Sequence, residues 1–238
     1  MTALNEVLNA EKIAGDRIIA CSEKKRHFAE GVNFYKLFWI STMGSILGYI
    51  VETFWCLLRN GHYECRSSLV FGPFNLIYGI GALVLYLGLH KINSNSHVRI
   101  FVFGMAAGTV VEYICSLVQE IAFGTASWNY SRVPFNIGGR ICLPYSLFWG
   151  GIALLWVYYL LPLFENVIAK IPNSIGRHLT WILLVLLFLD AVITIAAVVR
   201  WTTRIQGSPA VDVVSMFLDR LFPDVRMESI FANMKFLN

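Results

Sequence analysis

Gly44-Ser-Ile-Leu-Gly48-Tyr-Ile-Val-Glu52 lies inside the first long apolar segment and carries a carboxylate deep into hydrophobic sequence. Gly44, Gly48 and Glu52 are spaced by four, about one helical turn, so they share one face of a helix. The two glycines clear that face of side chains and let a second helix approach closely. A carboxylate left in hydrocarbon is costly, so Glu52 must look toward protein or a wet cavity. Sixty residues on, the frame returns as Gly104-Met-Ala-Ala-Gly108-Thr-Val-Val-Glu112. The two copies serve either tight packing with a buried hydrogen bond or a paired acidic site.

The segment after each copy also repeats. Pro73-Phe-Asn-Leu76-Ile-Tyr-Gly79-Ile-Gly-Ala82-Leu83 aligns with Pro144-Tyr-Ser-Leu147-Phe-Trp-Gly150-Gly-Ile-Ala153-Leu154, with five identities and two aromatic exchanges across eleven positions. The offset grows from 60 to 71, so the loop before the second match holds eleven extra residues. Both halves begin on the same side, which predicts a parallel two-hairpin repeat about an axis along the membrane normal. Equivalent faces then bury against each other. That brings Glu52 and Glu112 toward one seam and makes Gly44, Gly48, Gly79, Gly104, Gly108 and Gly150 the packing positions.

Composition agrees with a membrane protein. The chain is 57% hydrophobic and 14% charged, with mean hydropathy +0.61, which excludes an ordinary soluble domain. Seven Trp and ten Tyr suit the two membrane interfaces. The net charge of +4 owes much to Lys24-Lys25-Arg26, a membrane flank rather than a nucleic-acid patch. Five cysteines show no Cys-x-x-Cys pair and no zinc spacing, and the histidines sit at segment ends or in loops. No metal and no cofactor are expected. Cys56, Cys115 and Cys142 read as small apolar packing residues, with a Cys56–Cys65 bridge as the alternative.

The fold class expected is all-α: a polytopic helix bundle of five spans, with amphipathic N- and C-terminal helices. The spans fall at about 35–58, 69–90, 99–123, 141–164 and 178–200, each near or above the ~20 residues needed to cross a ~30 Å core. Residues 1–33 form an amphipathic cytoplasmic segment and 34–200 the membrane domain. That domain holds repeats at about 35–90 and 99–164, and residues 201–238 form an amphipathic tail. With the N-terminus inside, the inner flanks carry ten Lys and Arg against four in the 59–68 and 124–140 loops, which supports that orientation in a bacterial plasma membrane. The tail then lies outside, as two short helices broken at Pro223-Asp224.

Three further features bear on a site. The inserted loop, Gly124–Arg140, carries Trp128, Tyr130, Asn136 and a Gly138-Gly139 turn before Arg140. Arg140 stands at a membrane edge, where its planar fork can take a carboxylate or phosphate, or snorkel as an anchor. Glu52 and Glu112 are its leading partners. Asp190 adds a third acid in the middle of the last span. Candidate substrate- or ion-binding residues are therefore Glu52, Glu112, Asp190, Arg140, Asn136, Tyr113, Trp128 and Tyr130; no catalytic residue is assigned.

Several motifs carry a family resemblance. They are Gly48-x-x-x-Glu52, Phe71-Gly72-Pro73 with Ile77-Tyr78-Gly79, Gly108-x-x-x-Glu112-Tyr113, Trp128-x-Tyr130-Ser131, and Asn136-x-x-Gly139-Arg140-Ile-Cys142-Leu-x-x-Ser146-x-x-Trp149-Gly150. From about Phe38 to Val167 the chain resembles the CmpB-like (type IV) ABC-transporter permease family of bacterial membrane proteins. Asn129 stands where the family pattern has an acid after the tryptophan. The resemblance implies a permease or a component of a transport complex, with lipid and further subunits or a second copy as partners and no nucleic acid. Two other readings stay open: a structural or regulatory membrane partner, and a membrane enzyme acting on a lipid-linked or phosphorylated substrate. No Walker motif, hydrolase elbow or metalloprotease helix occurs.

Overall fold

The computed structural model describes residues 27–92 and 96–237. The amphipathic helix expected near the N-terminus, with its Lys24-Lys25-Arg26 run, lies outside the described residues.

The described chain is mostly helical. Helix α1 spans Phe34–Asn60, α2 Leu76–Ile92 and α3 His97–Phe123. Helix α4 (Leu143–Leu155) passes through a widened π turn, Trp156–Leu160, into α5 (Leu161–Ala169), so the pair forms one kinked rod. Pro162 sits just after that turn and cannot donate to the preceding turn, which is the usual origin of such a distortion. Helix α6 runs Asn173–Ile205, and two short helices follow, α7 (Val213–Leu221) and α8 (Asp224–Ile230). Among the described residues four rods are long and apolar enough to cross a membrane: α1, α3, α4–α5 and α6. Their outward side chains are large and apolar; Phe188 on α6 is 65% exposed. With four such helices the chain is a multi-pass membrane protein.

The segment expected to span from 69 to 90 becomes helical only at Leu76, leaving a helix of 17 residues. Residues 67–75 are irregular instead. Gly72 takes φ +75°, a left-handed conformation that glycine adopts without strain, and Pro73 follows it. Ser67 is buried, and its hydroxyl lies within hydrogen-bond distance of the carbonyls of Leu69, Gly72 and Phe74. The backbone N–H of Asn75 donates to the Ser45 carbonyl on α1 at 3.0 Å. A hydropathy window passes over this segment as apolar, but its polar backbone is met by side chains and by backbone groups outside any helical ladder of its own.

Two ends of the bundle are well defined. At one end the Lys36 ammonium of α1 meets Glu165 of α5 at 3.0 Å. There too the N–H of Phe28 donates to Asn173 Oδ1 at 2.7 Å, and Trp39 Nε1 donates to Thr180 of α6 at 2.9 Å. At the other end lie the 61–75 and 124–142 loops, together with the chain's last residues. Strand β1 (Thr125–Ala126) pairs antiparallel with β4 (Lys235–Phe236), and β2 (Asn136–Ile137) with β3 (Ile141–Cys142). Val70, Ala197, Trp201, Phe222, Met227 and Phe231 close a core there beneath the tail. Asp219 of α7 accepts from Nε and from an Nη of Arg200, both at 2.8 Å, and from Arg204 at 2.5 Å. Those guanidinium donors, Arg200 first, hold the Asp219 carboxyl down at about 2.

The hairpins α1–α2 and α3–α4 pack through corresponding residues. A methyl added at Gly44 would stand 2.8 Å from Ala82 Cβ, and one at Gly104 would run into Ala153. At Gly48 it would enter the Tyr78 side chain, and at Gly108 the Trp149 side chain, with Trp149 Cβ at 2.6 Å. A methyl at Gly79 would run into Ser41 and Ser45, and one at Gly150 would stand 2.7–2.8 Å from the Phe101 ring. Gly44, Gly48, Gly79, Gly104, Gly108 and Gly150 thus sit where a side chain has little room.

Cys56 and Cys65 are free thiols, so the alternative of a bridge between them does not hold.

Candidate functional site

Glu52 lies two turns from the end of α1, on the face shared with Gly44 and Gly48. Asn75, at the start of α2, donates from Nδ2 to Glu52 Oε2 at 2.7 Å and to the Arg66 carbonyl at 3.2 Å. A side chain of α1 thus fastens the irregular 61–75 segment to the bundle.

Glu112 occupies the matching place on α3 and is buried, with 6% of its surface exposed. It accepts from the Tyr130 hydroxyl at 2.8 Å and from Trp149 Nε1 at 3.1 Å. One donor comes from the 124–142 loop and the other from α4. Burial and the facing carboxylate push the Tyr130 phenol well above the ordinary tyrosine range, so it stays protonated as a donor. Its ring stacks on Tyr145 with centroids 4.6 Å apart.

Tyr78 of α2 and Trp149 of α4 bring the hairpins together, with ring centroids 5.8 Å apart. Each of the two carboxylates draws its donors from its own hairpin.

Asp190 is buried in α6 and serves the same loop that Glu52 holds. Its Oδ1 accepts from the Phe71 N–H and from the Thr194 hydroxyl, both at 3.3 Å, while Thr194 accepts from the Val70 N–H at 2.9 Å. It is joined to the 61–75 segment rather than to the two glutamates.

The inserted loop is held by its own polar groups. Trp128 Nε1 donates to the Arg140 carbonyl at 2.8 Å, and the Tyr130 N–H to the Gly139 carbonyl at 2.7 Å. Asn136 Nδ2 donates to the Val133 and Ser131 carbonyls, and its Oδ1 accepts from the Gly139 N–H. Gly138 and Gly139 take φ +58° and +69° in the tight turn between β2 and β3. Asn129 Oδ1 accepts from the Ser131 N–H at 2.8 Å, a local turn that an amide makes as well as an acid.

Arg140 does pair with a carboxylate, but with neither of the expected ones. An Nη donor reaches Glu120 at 2.6 Å and the other reaches Ser116 at 3.3 Å, while the guanidinium lies 5.9 Å from the Tyr113 ring centroid. Glu120 is in the last turn of α3, two turns nearer the loop than Glu112. That is where an arginine leaving the β2–β3 turn can reach.

Asn75, Tyr78, Trp149, Glu120 and Thr194 were not singled out as site residues. For Tyr78 and Trp149 a signal existed, since they are one of the two aromatic exchanges in the repeat alignment. The others needed three-dimensional contact.

No curated protein and no solved structure is detectably similar to the chain. A family model described as "Putative ABC-transporter type IV" matches residues 39–195, well over half of the 238 residues. The match runs from α1 into α6 and takes in both glycine–glutamate frames, the inserted loop, Arg140 and Asp190, so the chain belongs to the type IV ABC-transporter family that this model describes.

Proposed function

We propose that the protein is a permease-like membrane subunit of a transport complex, and that the seam between two equivalent hairpins is its working part. In this reading α1–α2 and α3–α4 are the halves of a parallel repeat, with α6 as a fifth crossing that carries the tail to the loop side. The N-terminal end faces the cytoplasm and the loops face outward across a bacterial plasma membrane, as the lysine and arginine distribution favours.

One observation carries the proposal. Tyr78 of α2 and Trp149 of α4, matched in the repeat alignment, meet each other across the two hairpins, and Trp149 donates to Glu112. Inverted and parallel repeats place transport sites at such interfaces, where ionisable groups face protein. The corresponding contacts of Gly48 with Tyr78 and Gly108 with Trp149 support the equivalence.

A second reading has its own support. Every intramembrane acid already has hydrogen-bond donors, which suits acids that only lock the loops in place. The two readings separate in one experiment. Tagged full-length chain is extracted from its own membranes for native mass. It is also reconstituted in liposomes loaded with a pH-sensitive dye to follow proton flux. Transport predicts either a native mass well above 26.9 kDa or flux above empty vesicles. Glu52→Gln and Glu112→Gln should then reduce flux by more than tenfold at a temperature where both variants, loosened only at the loops, remain folded. A monomeric chain with no flux, or Gln variants that lose only stability, leaves the locking reading.

A further inference from the structure

The geometry points to α7 as an interfacial helix: its unpartnered apolar face lies in the headgroup–acyl boundary of the leaflet beside the 61–75 and 124–142 loops. This goes beyond the proposed transport role and does not depend on it.

The argument begins with depth. From Leu179 to Val199 helix α6 has Asp190 as its one charged residue, and these 21 residues rise about 31 Å, close to the ~30 Å hydrocarbon thickness. Arg200 is the first cation after that run and therefore marks the hydrocarbon edge. Helix α7 is fixed to that level. Asp219 accepts two bonds from Arg200 and a third from Arg204, one turn further out. The start of α7 is set as well, since Asp212 caps it by accepting from the Ser215 N–H at 2.9 Å.

The helix is also two-sided. Asp219, Ser215 and Leu218 face inward or lie half-buried, and Leu218 packs against the tail core. Val213, Phe217, Leu221 and Val214 fall within about 100° of one another around the axis at 100° per residue. Their exposures are 77%, 60%, 37% and 65%. Arg220 flanks this face and is exposed, where its stem can lie along acyl chains and its head reach phosphate. A helix anchored at the hydrocarbon edge by its polar side, with an apolar face open and a cation at the border, has the pattern of a surface-lying membrane helix. The occupant of this face is the lipid leaflet.

The test uses the full chain in phospholipid vesicles, with an environment-sensitive fluorescent amino acid placed genetically at Val214, Phe217 or Glu228. Residues 214 and 217 lie outside the packed core, so the substitutions should not disturb folding; a second site on the same face, Val213, guards against one that does. At 214 and 217 doxyl-labelled lipid should quench at least several-fold more strongly than aqueous iodide, with the order reversed at the exposed Glu228. Iodide quenching at 213, 214 and 217 equal to that at 228 overturns the proposal. So does a signal shielded from both quenchers that changes with protein-to-lipid ratio, because the face then meets a second copy.

Discussion

Gly108→Ala is the most incisive perturbation of the seam. A methyl at that position would stand 2.6 Å from Trp149 Cβ and 2.7 Å from Cδ2. Carbon atoms rest at about 3.5–4.0 Å, so roughly 1 Å of separation is missing. Trp149 Cβ is bonded directly to the α4 backbone, and no rotamer carries it away. Either α3 and α4 must part, or the indole must shift and release Glu112, to which it donates at 3.1 Å. Overpacking costs about 1–3 kcal/mol, and losing a hydrogen bond to a charged acceptor adds about 1.5–3. The better helix propensity of alanine returns about 1 kcal/mol. The balance is a destabilisation of about 2 kcal/mol or more, roughly thirtyfold in the unfolding equilibrium. Gly151→Ala is the control, since nothing lies within 4 Å of its added methyl; it should be neutral or stabilising by up to about 1 kcal/mol. Unfolding of the purified chain by a denaturing detergent in mixed micelles, followed by circular dichroism, measures both. Gly48→Ala, aimed into Tyr78, should resemble Gly108→Ala if the hairpins are equivalent. Equal stability of the Gly108 and Gly151 variants would refute the close-packed seam.

Three other outcomes follow from the contacts. Glu112→Gln keeps the shape but weakens acceptance from Tyr130 and Trp149, so the 124–142 loop should exchange its amide hydrogens about tenfold faster, whereas Glu30→Gln, at an exposed site on the opposite end of the bundle, should have no such effect; unchanged exchange would remove Glu112 from the loop's support. Arg140→Ala should cost no more than about 1 kcal/mol, because its partner Glu120 is 43% exposed, and Arg140→Lys should recover part of that by keeping the single carboxylate contact; a loss several times larger for both would point to a bound anion. Asp219 has a folded pKa near 2, below its ordinary 3.8, so its pairing with Arg200 and Arg204 stabilises the tail fully above about pH 4 and loses that effect as pH falls through 2. Proteolysis of the 206–212 connection should accelerate over that acidic window in wild type and be fast at neutral pH in Asp219→Asn.

Much of the seam is legible in the sequence because its physics is local and periodic. Four-residue spacing puts Gly44, Gly48 and Glu52 on one helical face, and the cost of a carboxylate in hydrocarbon turns that face toward protein. The recurrence at Gly104, Gly108 and Glu112 then points to matching packing partners. The start of α2 is less legible: residues 69–74 carry no polar side chain, and only the Gly72-Pro73 pair hints that the backbone is irregular there. The Arg140 partner went to Glu120 because reach from a loop decides the matter, and the repeated acids lie too deep. The tail's return to the loop through Thr125–Phe236 pairing is a contact between two-residue strands over a hundred residues apart, and such short strands leave no periodic trace.

The three intramembrane acids share one structural circumstance. Glu52 takes a donor from Asn75, Asp190 from the Phe71 N–H, and Glu112 from Tyr130. Each reaches a non-helical segment or its junction with a helix, at the end of the bundle where the backbone leaves the regular helical ladder. Irregular backbone near hydrocarbon persists only where protein supplies partners, and a buried carboxylate persists only where donors surround it. The two liabilities offset one another. A carboxylate suits the task because it is acceptor-only with several lone pairs, so Asp190 can serve a backbone N–H and the Thr194 hydroxyl at once. Moving either loop away would strand an acid in the bundle, and moving an acid would strand loop donors. Any transport cycle through the Tyr78–Trp149 seam must therefore shift loops and acids together, and a change of protonation at Glu112 is coupled to loop position through the Tyr130 hydroxyl.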